Sequence, residues 1–271
     1  MRDPHVKTLN YRLAVDTERL VPKNPPVLKL TYEDFDLSLE GNLLVVAMKR
    51  HFGSQNDARN HLAPFLRAWI LASSLEWNKE LMQFEFEGSE IIDRDPPPPE
   101  PGVTVGIGHG SVTLSAAAVG RASPAKHTCS EYPPPPSNFT ASPDVELMWT
   151  RFGLFREGRD TLLALGYFCL TVLENHVRTL PRNNLREKVA KEFRIDLGIL
   201  NKLGEWTSER GAPEEARKVG PKATGVPLSS SENKWVREVV KVLIRRVGEY
   251  DHDPAAAANL PQITMATLPS I

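Results

Sequence analysis

The chain predicts an α+β fold: a β-rich N-terminal part with one long helix, followed by an all-α C-terminal helical bundle. Three observations carry this expectation. Apolar residues alternate at period two in several segments before residue 95, the pattern of strands with one buried face. A single stretch from Ser54 onward switches to helical spacing. From Ser142 to Tyr250 nearly every segment keeps the three-to-four residue spacing of amphipathic helices. The expected divisions are an α+β domain over 1–132, a proline-rich linker over 133–142, a helical bundle over 143–254 and an extended tail over 255–271.

In order along the chain, Lys7 to Asp16 predicts a strand with Leu9, Tyr11 or Leu13, and Val15 inward. VLKLTY and FDLSLEGNLLVVAMKR predict further strands, the latter two turning at Glu40-Gly41-Asn42. The helix after Gly53 takes Ser54 or Asn56 as its N-cap and buries Leu62, Leu66, Trp69 and Ile70, with Pro64 able to kink it. Met82 to Arg94 alternates again. After the proline run at 95–102, Val103 to Val119 predicts a hairpin turning at Gly108-His109-Gly110. A second proline run, YPPPPSNF, ends this half.

The bundle opens at Ser142-Pro143-Asp144, a capping serine followed by proline at the first helical position. Asp160 to Val177 is apolar nearly all round and should be the central helix. Leu185 to Phe193 and Asp196 to Arg210 are shorter helices, and Gly211 to Ser231 is a polar connection. The last helix runs from Trp235, WVREVVKVLIRRVGEYDHDP, with Gly248 weakening its final turn and Pro254 stopping it. Ile263, Met265 and Leu268 give the tail enough apolar surface to dock.

Composition excludes little. The 271 residues carry a net charge of −1 and 41% hydrophobic residues, ordinary for a globular chain. Between Arg182 and Arg246, however, 15 Lys or Arg face 9 Asp or Glu, a local excess that favours an anionic partner. Cys169 lies within an apolar run and predicts a core thiol, while Cys129 lies in a polar loop. The N-terminus has no signal-peptide core, and the longest apolar stretch, Leu162 to Leu173, is too short for a bilayer. A cytoplasmic protein with no membrane partner is expected. The seven histidines include no pair at helical metal-ligand spacing, so no metal and no cofactor is predicted. GIGHG at 106–110 lacks the residues of a phosphate loop.

Candidate functional residues cluster late in the chain. Arg245 and Arg246 precede His252 on the last helix; arginine can stabilise phosphoryl charge while histidine moves a proton from a ribose hydroxyl. Glu174 and His176, ending the central helix, could line a cleft beside them. Arg217 and Lys218, in the charged loop SERGAPEEARK, could grip phosphate.

The segment from Asp144 to Pro254 resembles the HEPN superfamily of helical bundles. The resemblance rests on the central helix ending LTVLENH and on the arginine, with five or six intervening residues, before His252. It implies an RNA- or nucleotide-binding homodimer with metal-independent endoribonuclease chemistry. Arg245 or Arg246 would then stabilise phosphate, and His252 would act as acid or base. The residue after the arginine is Arg246 or Val247, where active members usually carry Asn, Asp or His. LTVLE, SERG with ARK, and ITMATLP also resemble uncharacterised bacterial methylamine-utilisation accessory proteins, which implies a non-catalytic accessory or interaction role with the bundle mediating dimerisation.

Overall fold

A computed structural model describes residues 1–16, 18, 20–22, 25–95, 127–178, 184–210 and 225–271, with backbone alone for 20–22 and 127–129. The fold is α+β, and the chain divides into two compact units, Met1–Pro135 and Pro136–Ile271. The expected hairpin at 103–119 and most of the first proline run lie outside the described residues.

The first unit is a five-stranded antiparallel sheet of β1 (Pro4–Val15), β3 (Leu28–Thr31), β4 (Phe35–Glu40), β5 (Leu43–Met48) and β6 (Met82–Asp93). The strand order is β3-β4-β5-β1-β6, and the helix α1 (Gln55–Trp77) contacts β1 and β6. A separate parallel pair joins β2 (Leu20–Pro22) to β7 (His127–Cys129). The first strand starts three residues earlier than its alternation predicts. Lys7 is an extra residue between the Val6 and Thr8 pairings with β6. This bulge flips the face of every residue before it, so that Val6 and Leu9, three apart, both point inward.

Ser54 caps α1 by accepting from the Asp57 amide at 3.2 Å, and Asn78 ends the helix at φ 59°. Pro64 stands on the exposed side of an uninterrupted helix. The core joins Leu9, Tyr11, Leu39, Leu44 and Val46 of the sheet to Leu62, Leu66 and Trp69 of α1. The outer face of the sheet is polar, with Lys7 paired to Glu90 at 3.0 Å and Arg12 paired to Glu85 and Glu87.

The second unit is helical. Its elements are α2 (Pro143–Arg156), α3 (Leu162–His176), α4 (Leu185–Glu192), α5 (Leu197–Glu209) and α6 (Ser230–His252). Ser142 caps α2 and Thr161 caps α3. The apolar α3 packs against α2, α5 and α6, as its composition demands. Within it Cys169 is fully buried, and burial pushes its thiol up to about 12, so it is inert. The last helix begins five residues before Trp235. Ser229 and Glu232 form a capping box, Ser229 Oγ accepting from the Glu232 amide and Glu232 accepting from the Ser229 amide. Among the described residues no helix is long and apolar enough to cross a membrane.

The segment 133–142, expected as a linker, is held at both ends. The Pro133 carbonyl accepts from Trp69 Nε1 at 2.7 Å, and Tyr132 donates to the Gly41 carbonyl. Phe139 is buried, and the Thr140 amide donates to the Gly248 carbonyl at 3.0 Å. The tail likewise docks: Ile263 bridges Ile195 in parallel, its amide donating to the Arg194 carbonyl and its carbonyl accepting from Asp196.

Gly248 does not interrupt α6, which continues to His252. Its missing side chain makes room for Phe139: a Cβ there would lie 2.2 Å from the Phe139 ring. Alanine is worth about 1 kcal/mol over glycine in a free helix. Gly248→Ala should nevertheless lower stability by about 1–3 kcal/mol, the usual cost of overpacking. Urea unfolding checks this, with Phe139→Ala relieving the loss in the double variant; a stabilised G248A would refute the packing assignment.

Candidate functional site

Of the residues expected to act on phosphate, Glu174 and His176 end α3 and Arg245, Arg246 and His252 lie on the last turns of α6, and these five do not gather at one point. Arg246 is the largest departure. It is 5% exposed, with Nη1 donating to the Phe193 carbonyl and Nη2 to the Pro261 carbonyl, each at 2.9 Å. Its Nε stands 2.9 Å from Glu249 Oε2, an ion-pair distance outside hydrogen-bond geometry. The guanidinium therefore closes the C-terminus of α4, ties down the tail and neutralises its own helix. It has no surface left for a phosphate. The physical reason is helical periodicity: Arg246 is three residues after Leu243 and seven after Val239, on the buried side of α6.

Burial shifts both partners toward neutrality. The Arg246 guanidinium is lowered by burial, opposed by Glu249, and the Glu249 carboxyl is raised by burial, opposed by Arg246 and Arg245. Arg245, one residue earlier, is exposed. His252 is also exposed, its Nδ1 3.3 Å from Thr140 Oγ1, so it meets the chain leading into α2. A step of seven residues leads from Arg245 to His252, which places them on one side but about 10 Å apart along the axis.

His176 is packed differently. Its ring meets Phe193 and Tyr250 edge-on, with centroids 5.7 Å and 6.0 Å away. Nε2 lies 3.0 Å from Asp144 Oδ2, without hydrogen-bond alignment, and Nδ1 lies 3.9 Å from Asp251 Oδ1. Tyr250 donates to Glu192, and burial leads that contact in raising its hydroxyl. Glu174, two residues before His176, points to another side of α3. It faces Arg186 Nε at 3.6 Å across a shallow hollow of about 370 Å³ that also includes Asn184 and Asn201. Among the described residues His176 does not line the hollow that Glu174 lines. Arg217 and Lys218 lie outside the described residues.

The electrostatics around His252 also oppose a phosphate. Glu249, Asp251 and Asp253 surround it in sequence, and the helix ends there with the negative pole of its dipole. Among the described residues no group of three His, Cys, Asp or Glu side chains could hold a metal.

What sequence reasoning missed lies along the rest of α6. Lys234, Arg237, Lys241 and Arg245 recur at three- and four-residue steps. They fall within about an 80° sector of the helix, and His252 extends the same line. Lys234, Arg237 and Arg245 are exposed; Arg237 leans over the Phe155 ring at 5.5 Å, and Lys241 is half-buried and pairs with Glu238. The signal was present as the polar complement of the apolar stripe. The chain matches no family model, no curated protein and no solved structure.

The buried pair gives a signed prediction. Glu249 has a raised folded pKa, so its ionisation lowers stability as pH rises through that value. Arg246→Met removes the opposing charge and raises it further. The variant should lose about 3 kcal/mol near neutral pH. The deficit should shrink as pH falls through the carboxylate range, and R246M/E249L should recover much of it. Chemical unfolding across pH checks all three statements; a pH-independent loss would contradict the pairing.

Proposed function

We propose that the helical unit is an RNA- or nucleotide-binding module of HEPN-like type that binds without cutting. The observation that carries this reading is the row of exposed cations Lys234, Arg237 and Arg245 along one side of α6, with Lys241 between them tied to Glu238 and Arg246 turned inward. Phosphates are recognised first by charge at regular spacing, and a row of cations spanning about three turns matches a short run of backbone. Cleavage needs a cation and a proton carrier at one phosphate. Here Arg246 is fully engaged within its own chain, so pairing two copies would not free it. His252 stands among carboxylates.

The competing reading is the non-catalytic accessory role, in which the bundle dimerises or meets a protein partner.

The discriminating test is fluorescence anisotropy of a labelled 20-nucleotide RNA, with cleavage followed on a gel without divalent metal. Binding is expected, with log K falling against log salt at a slope of about −2, as for three neutralised phosphates on a single strand. Lys234→Glu with Arg237→Glu should weaken binding at least tenfold, and no cleavage should occur in wild type or His252→Ala. Cleavage abolished by H252A would restore the nuclease reading. No binding by a folded, dimeric wild type would select the accessory reading.

A further inference from the structure

The first unit carries a cleft that no candidate residue above touches. It lies between α1 and the β1–β6 side of the sheet and has a volume of about 400 Å³, within the range of small-molecule sites. Its floor is aromatic: Tyr11 of β1 meets Phe86 of β6 edge-on at 5.4 Å, and Phe84 lies beside them, both phenylalanines half-buried. Its wall is one side of α1, where Asn56, Arg59, Asn60, Ala63 and Arg67 recur at helical steps.

Arg59 is the chemical centre. Its guanidinium lies 4.2 Å from the Phe86 ring centroid, and its charge opposes the upward push of burial on the Tyr11 hydroxyl. Among the described residues no carboxylate pairs with it. Arg67 is different: Glu80 neutralises it at 3.0 Å. The lining holds no aspartate, glutamate or histidine, so the cleft presents one uncompensated positive charge over an aromatic floor. Asn56 and Asn60, exposed beside it, add amide donors, and all three groups lie in the first two turns of α1, where the helix dipole adds to the positive field.

We infer that this cleft binds a small aromatic monocarboxylate, its carboxylate on Arg59 and the adjoining amides, and its ring on Tyr11, Phe84 and Phe86. One charge matches a monoanion better than a phosphate dianion. A planar fork over an aromatic face suits a carboxylate attached to a flat body. The inference is independent of the RNA reading, which concerns the other unit.

The test is isothermal titration calorimetry on the full chain with phenylacetate, indole-3-acetate, benzyl phosphate and the uncharged phenylacetamide. At least one arylacetate should bind, tenfold or more tightly than the amide, and Arg59→Gln should weaken it at least tenfold, whereas Arg59→Lys should lose less. Chemical-shift changes on wild type should map to Tyr11, Asn56, Asn60 and Phe86, which decides the matter even if R59Q fails to fold. No arylacetate binding to folded wild type at millimolar concentration would overturn the inference. So would R59Q binding within twofold of wild type, or benzyl phosphate binding more tightly than either carboxylate.

Discussion

The buried guanidinium of Arg246 is the constraint on which the helical unit depends. A charge out of water must be paired and hydrogen-bonded on every side, or its desolvation is uncompensated. Here the partners come from three places: the carbonyl closing α4, a carbonyl of the tail and a carboxylate one turn along α6. Satisfying one side chain therefore gathers three segments that are far apart in sequence. It also sets the rotation of α6. With Arg246 inward beside Leu243 and Val247, helical geometry leaves Arg245, Lys241, Arg237 and Lys234 outward. The same contact withdraws Arg246 from the surface and leaves Lys234, Arg237 and Arg245 exposed on the other side of α6, the row on which the proposed RNA binding rests.

Much of this was legible in the sequence, and the failures have particular causes. The apolar stripe of α6 placed the helix, because burial of one face produces that spacing whatever the partner. Two adjacent arginines look chemically alike, but only Arg246 continues the buried stripe through Val239 and Leu243, so phase could have distinguished them. The start of α6 was missed because its signal is a capping box at Ser229 and Glu232, four residues of hydrogen-bond chemistry without apolar periodicity. β1 was begun late for a related reason, since the Lys7 bulge breaks alternation. Gly248 looked like a helix breaker; only tertiary contact reveals Phe139 above it.

The cleft in the first unit follows from a mismatch of sizes. Five strands about 4.8 Å apart present a face roughly 20 Å wide, while one helix covers about 10 Å. Alpha-helix α1 runs over β1 and β6, so half-buried Phe84 and Phe86 on the edge strand form a ledge beside it. Strand alternation announces such aromatics as core. Their place in the floor of the cleft depends on where the single helix stops covering them, which no local pattern encodes. The two units thus offer different chemistry: an extended basic line on one, and a concave aromatic site with a single charge on the other.

The most direct test of the central claim is hydrogen–deuterium exchange compared between wild type and Arg246→Met. If Arg246 anchors the tail, the Ile263 and Asp196 amides, which bond the tail to the α4–α5 junction, should lose protection in the variant while the α6 amides from Val239 to Val247 keep theirs. If tail protection is unchanged and the variant is as stable as wild type, Arg246 is not a structural anchor, and its assignment to phosphate chemistry must be reopened.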